Sequence, residues 1–493
     1  MAAQAKKLSE LGLTAAAGKN PLVTGIAVDS RDVKDGYLFA ALAGTRIHGA
    51  TFIQYALRMG ASVIVTDPEG ARIAATEISE ADAALVICED PRQTLAYTSA
   101  LWFGRQPNVV AAVTGTNGKT SVSTFLRMIW QEMGLTAINL GTTGVEGDFE
   151  HPLQHTTPEP ITLHDVLAQA VDSGVQFAAM EASSHGLEQR RLDGVQLKAA
   201  GFTNFTQDHL DYHANFDDYF DAKSGLFARV LPEDGVAVVN IDDMRGTDIA
   251  AIAKGRGQNV ITVGRHGADL ELLVQRFDNT GQDIRFSYCG KIFQTRLGLI
   301  GGFQAENVLL AAALAIGCGA EAERVFEVLG ELKTVRGRMQ LAATRLNGAA
   351  VFVDYAHTPD AVATALKALR PHVMGRLIAI VGAGGDRDAS KRPLMGAAAV
   401  KHADVVFVTD DNPRSEDPAA IREMVLEGAP DANEVADRAE AILRAVDALG
   451  PGDALLIAGK GHESGQIIGD DILPFDDVEQ ASVAVLALDG GHA

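Results

Sequence analysis

Two rhythms of apolar and polar positions run along this chain. Short β-branched runs read as strands, and longer stretches with apolar residues three and four apart read as amphipathic helices. In the first part, Ile26–Val28, Tyr37–Leu42, Ala61–Val65 and Ala84–Cys88 are expected strands, with a helix near 51–59. Strands are then expected at 109–114, 136–140, 177–182, 199–204, 236–240 and 259–263, separated by helical patterns. Residues 270–298 read as a β-hairpin with strands at Asp283–Tyr288 and Phe293–Leu297, followed by a helix at Phe303–Ile316. The last part repeats the alternation: strand Ala350–Asp354, helix from Pro359, strand Leu377–Val381, helix from Pro393, strand Val405–Thr409, two helices and strand Ala454–Ala458.

Strand–helix alternation on this scale predicts parallel sheets covered by helices, so the fold class is α/β. Three domains are expected: a small N-terminal α/β domain (1–90), a central domain on a mostly parallel, P-loop-type sheet (91–334) and a Rossmann-like C-terminal domain (335–493). The passages between them are placed at Glu89-Asp90-Pro91-Arg92 and Thr334-Val335-Arg336-Gly337-Arg338. A chain of 493 residues exceeds what one core ordinarily holds.

Charge and cysteine usage narrow the classes. A net charge of −22 argues against nucleic-acid and anionic-membrane partners, while leaving room for a local basic site. Cys88, Cys289 and Cys318 have no paired spacing, which favours a reducing compartment. MAAQAKKLSE has no apolar stretch behind its lysines and no run is long enough to span a membrane, so a cytoplasmic protein is expected.

Candidate chemistry begins where the run Val109–Val113 stops at Thr114-Gly115-Thr116-Asn117-Gly118-Lys119-Thr120, ahead of a helix carrying Val122, Phe125, Leu126 and Ile129. Strand, glycine loop and helix make a phosphate site. Glycines let backbone amides curl round an anion, the helix N-terminus adds positive potential, Lys119 neutralises phosphate, and Thr120 offers a hydroxyl to Mg2+. Gly115, Thr116, Asn117, Gly118, Lys119, Thr120 and Ser121 are the expected ATP-phosphate contacts. A full Walker A would carry glycine at position 113, where this chain has Val113. That departure speaks against a P-loop kinase or GTPase-type switch.

Other polar loops follow expected strand ends, where ligands of such sheets bind. Glu181, His209 and Thr120 form a possible Mg2+ set of hard donors. Asp354 heads Asp354-Tyr355-Ala356-His357-Thr358-Pro359, where it can accept from ribose hydroxyls beside Tyr355 or His357. Gly382-Ala383-Gly384-Gly385-Asp386-Arg387 is no dinucleotide fingerprint, because its third glycine position falls on Arg387. Asp411-Asn412-Pro413-Arg414 places a carboxylate, an amide and a guanidinium on one turn, and Glu463 follows a further strand. Such a set can hold a zwitterion: Asp411, Asn412 and Glu463 taking ammonium protons, the arginine fork taking a carboxylate.

In order along the chain, GTNGKT, HTTP, MEASSHGL, QDHLDYH, DYAHTPD, GGDRD, DNPR and KGHE resemble the motifs of the Mur ligases over essentially the whole length. The resemblance implies an ATP- and Mg2+-dependent ligase of peptidoglycan precursor synthesis, with a uridine-nucleotide domain, an ATPase domain and an amino-acid domain, and a monomer. It implies that Val28, Ser30 and the loop Thr45-Arg46-Ile47 line the UDP site. Thr156, Thr157, Ser183, Gln189 and Arg191 would hold a UDP-N-acetylmuramoyl-L-alanyl-D-glutamate substrate, and Asn307, Arg338 and Asp354 would contact ATP. His48 stands where the family often has an acidic residue, and Gln304 replaces a usual asparagine. Lys223 occupies the position of the family's carbamylated lysine, a ligand for a second Mg2+; spacing alone reads it as a solvated helix lysine. Lys119, Lys223, Glu181 and His209 are then the catalytic set, with Thr120, Glu181, His209 and carbamylated Lys223 on metal. In this family DNPR accompanies meso-diaminopimelate, giving Arg387, Asp411, Asn412, Pro413, Arg414, Gly459 and Glu463 as its site. The alternatives are the L-lysine-adding ligase and, from another class, a P-loop NTPase.

Overall fold

The computed structural model describes residues 4–44, 47–206, 213 and 215–490, in two compact units. The first comprises residues 1–261 with 314–319, the second 262–313 with 320–493.

Unit one contains two main sheets and a short antiparallel pair, Lys6–Lys7 with Leu22–Val23. Gly25–Ala27, Tyr37–Ala40, Val63–Thr66 and Ala84–Ile87 form a four-stranded parallel sheet, in that order. Its core includes Leu8, Leu38 and Val63, together with Leu95 and Trp102 from a helix, Pro91–Phe103, that the sequence reading left out. The signal was present: Asp90 accepts from the Gln93 amide (3.0 Å) and Pro91 opens the first turn, a start that needs no amphipathic stripe. The larger sheet runs Val236–Asn240, Ala199–Phe202, Val109–Thr114, Phe177–Glu181 and Ala137–Gly141 in parallel, with Gly144–Gly147 antiparallel at its end. Glu181 lies opposite Val113 and Phe202 opposite Thr114. The parallel strands therefore release their polar loops side by side.

Unit two is built on a six-stranded sheet. Gln340–Thr344 runs antiparallel to Ala350–Asp354; Ala454–Ala458, Leu377–Val381, Val405–Val408 and Asn433–Glu434 follow in parallel. Apolar clusters cover both faces, as a doubly wound sheet requires. The expected hairpin at 270–298 has three strands instead of two: Leu270–Asp278, Gly281–Tyr288 and Lys291–Leu297. The first escaped because a bulge between Leu272 and Val274 breaks the period-two alternation that marks a strand.

One buried histidine makes unit one acid-sensitive. His164, on the helix Pro160–Asp172, is 2% exposed, and a Cβ built on Gly194 would lie 2.6 Å from its Nε2. Burial pulls the imidazole from 6.5 down to about 4. Below pH 6.5 the unfolded chain takes a proton the native state refuses, so stability is lost as pH falls from 6.5 toward 4. Relative to His164→Leu, the wild-type protein should lose about 2 kcal/mol between pH 7 and pH 5. Denaturant melts of both proteins at the two pH values measure this, since titrations shared by the pair cancel.

Candidate active site

The strand Val109–Thr114 lies between Ala199–Phe202 and Phe177–Glu181, so its glycine loop leaves the interior of the sheet. Gly115 has φ 142°, and a Cβ on it would lie 1.9 Å from Thr203 Oγ1, so only glycine fits. Thr203 Oγ1 donates to the Asn117 carbonyl (2.6 Å), and Asn204 Oδ1 accepts the Asn117 amide (2.9 Å). Thr116 Oγ1 donates to the Thr206 carbonyl (3.1 Å) and accepts its amide (3.0 Å). Neighbouring strand ends thus hold the loop in shape, and Gly118, at φ 86°, turns it into the helix Lys119–Glu132. Lys119 Nζ donates to the carbonyls of Gly115 (3.0 Å) and Thr116 (2.8 Å), which keeps the ammonium folded over the loop. Thr120 and Ser121 are buried in the first helical turn.

Glu181 ends the adjacent strand, buried to 1% exposure. Its Oε1 accepts the Thr142 amide (2.9 Å), and its Oε2 the Thr142 hydroxyl (3.2 Å), which also meets Thr156 Oγ1 (3.1 Å). A Cβ on Gly141 would lie 2.0 Å from Glu181 Oε1, so that glycine makes room for the carboxylate. Thr157 Oγ1 donates to the Glu181 carbonyl (2.9 Å) and accepts the Ser183 amide (3.0 Å). Arg191 reaches the Thr157 carbonyl (2.6 Å) and Gln189 Oε1 (2.8 Å). Thr156, Thr157, Ser183, Gln189 and Arg191, scattered in sequence, therefore come together.

Gln189 and Arg191 also line a cavity of about 200 Å³ with Val28, Arg92, Leu95 and Glu159. Arg92 and Glu159 were not among the expected site residues; they stand at the starts of the helices Pro91–Phe103 and Pro160–Asp172, and only the packing of those two helices brings them there. Ser30 is buried and Ile47 is exposed, and neither lines this cavity. Asp29 accepts from Arg31, whose guanidinium pulls the carboxyl down to about 2. His48, in place of an acidic residue, acts as a cap: its Nδ1 accepts the Ala50 amide (3.0 Å) and its Nε2 faces Asp67 (3.2 Å). Thr45, Arg46 and His209 lie outside the described residues.

Lys223 overturns its local reading. On the helix Phe216–Gly225 it is 1% exposed, its Nζ donating to the Gly115 carbonyl (2.7 Å) and lying 4.5 Å from the Tyr219 ring centroid. A solvated lysine would do neither. The available signal was the four-residue spacing to the apolar Tyr219, which puts both on one helix face. Among the described residues no cluster of three or more His, Cys, Asp or Glu side chains forms a cage. The donor set fits Mg2+, which prefers a few hard oxygens and keeps its waters, through Glu181 and Thr120. An ammonium at Lys223 repels a cation, so Lys223 suits the metal only as a carbamate.

In unit two, Asp354 and Ala458 are register partners, so the loops after both strands emerge together. Asp354 accepts the amides of Met339 (2.7 Å) and Ala356 (2.9 Å), tying Val335–Met339 to its own turn. Burial pushes its carboxyl above the usual range, opposed by Arg338. The Arg338 guanidinium lies 4.6 Å from the Tyr355 ring centroid, and that ring sits 4.9 Å from His462. Asn307, on the helix Phe303–Gly317, is buried and donates to Gln304 Oε1 (3.4 Å).

Beside them lies the DNPR turn. Arg414 has φ 51° and donates to the Gly385 carbonyl (2.8 Å). A Cβ on Gly385 would meet the Pro413 oxygen at 1.9 Å, so the glycines of the GGDRD loop serve backbone packing against DNPR. Arg387 is exposed on that loop. Asp411 accepts the Asn412 amide (2.7 Å), stands 4.0 Å from the fully buried Arg438, and is closely approached by Gly459. Asn412 differs from expectation. Its Oδ1 accepts from Lys460 Nζ (2.9 Å) and the Ile467 amide (3.0 Å), and its Nδ2 donates to Glu463 Oε2 (2.8 Å). The side chain offers N–H, not an acceptor for an ammonium. Lys460 and Arg438 were missed, because nothing local distinguishes a fully buried cation from a surface one.

Three family models match: "Mur ligase family, catalytic domain" over residues 22–102, "Mur ligase middle domain" over 113–315 and "Mur ligase, glutamate ligase domain" over 337–461. A UDP-N-acetylmuramoyl-L-alanyl-D-glutamate–2,6-diaminopimelate ligase of Caulobacter vibrioides is 46% identical, covering 98% of this chain and 99% of the relative. A solved structure of a ligase of that same name aligns with TM-score 0.73 at 32% identity, over 99% of this chain and all of the other. Thermotoga maritima MurF in complex with ADP shares the fold, with TM-score 0.61 at 19% identity over 95% of this chain and 98% of the other.

Proposed function

The chain belongs to the Mur ligase family, and from that premise we propose that it is the ATP-dependent ligase joining meso-2,6-diaminopimelate to UDP-N-acetylmuramoyl-L-alanyl-D-glutamate. The observation that carries this reading is the DNPR turn. Arg414 is held against Gly385, and the amide of Asn412 faces Glu463, so one loop presents a guanidinium and N–H donors next to a carboxylate. A diamino dicarboxylic acid needs both kinds of partner; lysine has one carboxylate fewer.

We assign the loop Gly115–Ser121 to the ATP phosphates, and Asn307, Arg338 and Asp354 to further nucleotide contacts. Val28, Ser30, Thr45, Arg46 and Ile47 are assigned to the UDP moiety; Thr156, Thr157, Ser183, Gln189 and Arg191 to the muramoyl dipeptide. Thr120, Glu181, His209 and carbamylated Lys223 are the residues that would hold Mg2+. The ion, when bound, would neutralise charge on the phosphates. The D-glutamyl side-chain carboxylate attacks the γ-phosphorus of ATP, forming an acyl phosphate and ADP. The amine of the incoming amino acid then attacks the acyl carbon; the C–O bond to phosphate breaks, and the nitrogen loses a proton. Lys119 stabilises the transferring phosphoryl group, a task of position and charge. No side-chain nucleophile is required. We read the protein as a cytoplasmic monomer, on its unpaired cysteines and its family. Among the described residues no helix is long and apolar enough to cross a membrane.

Phosphate release from ATP with the UDP-dipeptide tests the reading, comparing meso-diaminopimelate, L-lysine and no amino acid. Release only with diaminopimelate, matched by UDP-tripeptide formation, is the expected result. Release with lysine instead would keep the ligase and overturn its specificity; release without any amino acid would favour the NTPase.

A further inference from the structure

Lys460 is 0% exposed at a turn, an unusual place for an ammonium unless its protons are spoken for. It donates to Asn412 Oδ1 at 2.9 Å and to Glu463 Oε2 at 3.3 Å. The surrounding chemistry leaves Asn412 one orientation. An ammonium and a backbone N–H can only donate, so Lys460 and Ile467 must both face the amide oxygen. The Glu463 carboxylate only accepts, so it must face the amide nitrogen. Both oxygen lone pairs are then occupied and one N–H is used; the second N–H has no partner among the described residues. Removing the ammonium would remove one of the two donors that forbid the flipped amide, and the cation beside Glu463 as well.

We propose that Lys460 is a positioning residue of the amino-acid site. It locks the Asn412 amide with N–H outward, toward a substrate carboxylate, and holds Glu463 as the nearby anion for a substrate ammonium. This rests on the assignment of DNPR and KGHE to the incoming amino acid. Lys460 itself is too enclosed to be the group that meets substrate; it acts through Asn412 and Glu463.

The test is steady-state kinetics of the full-length enzyme with whichever amino acid the wild type adds, so a wrong substrate assignment shows in the wild type alone. Lys460→Met should raise KM for the amino acid by about 30-fold, the loss expected for a charge-assisted hydrogen bond, leaving KM for ATP and for the UDP-dipeptide unchanged. Lys460→Gln, which keeps a donor without charge, should give a smaller rise in the same KM and covers the case in which the methionine variant does not fold. In a cycle with Asn412→Leu, the double variant should fall well short of the sum of the two single losses, because the part of the lysine's action that passes through that amide is already gone and only its hold on Glu463 remains to be lost. Equal increases in all three KM values, a fall in kcat alone, or strictly additive effects in the cycle would overturn the inference.

Discussion

Lys119→Met should lower kcat for amino-acid-dependent phosphate release by about 10³-fold, the scale seen when a preorganised transition-state donor is removed. The geometry explains why so much rests on one side chain. The loop is held from outside by Thr203, Asn204 and Thr206, so its shape does not depend on Lys119. What the lysine adds is a full positive charge, folded over the carbonyls of Gly115 and Thr116, where phosphate oxygens are assigned. Methionine keeps the length and removes the charge. The melting temperature should therefore move little while turnover collapses, and phosphate-release kinetics beside a thermal melt read both. A loss smaller than tenfold would remove Lys119 from the phosphoryl-transfer step.

Arg414→Ala should reduce kcat/KM for meso-diaminopimelate and level its advantage over L-lysine, a discrimination that sites built for a polar group sustain at ~10⁴-fold. KM for ATP should not change. Arg414 sits at φ 51°, where alanine is strained, so Arg414→Asn is the control, since asparagine tolerates that conformation. Both variants lose the guanidinium and should behave alike if recognition of the distal carboxylate is the cause. If only the alanine variant fails, the effect belongs to the backbone of the turn. If KM for ATP rises in step with KM for diaminopimelate, the specificity role is wrong.

Much of the architecture was readable because it is local. Val109–Thr114, Phe177–Glu181, Leu377–Val381 and Ala454–Ala458 are apolar runs that name themselves as buried parallel strands. The elements that escaped had their local signals broken or differently written. Leu270–Asp278 lost its alternation to a bulge, and Pro91–Phe103 announced itself by a cap more than by a stripe. Asn412 was assigned the wrong polarity for a different reason: an amide has two faces, and only its neighbours decide which one is shown.

The sequence by itself determined the glycine loop, since a strand end, a glycine turn, a lysine and a helix start are contiguous in the chain. It also determined which strand ends carry polar chemistry, and through the ordered motifs the family to which that chemistry belongs. Tertiary structure alone decided which of those residues meet. Strand order places Glu181 beside the loop, register sets Asp354 against Ala458, and helix packing buries Lys223 under Gly115. Whether Lys223, Arg438 or Lys460 is a solvated charge or an enclosed one is a property of its surroundings, and those are assembled from segments far apart in the chain. Burial and pairing of a charge are therefore settled by the fold, while the identity of the charge is settled by the sequence.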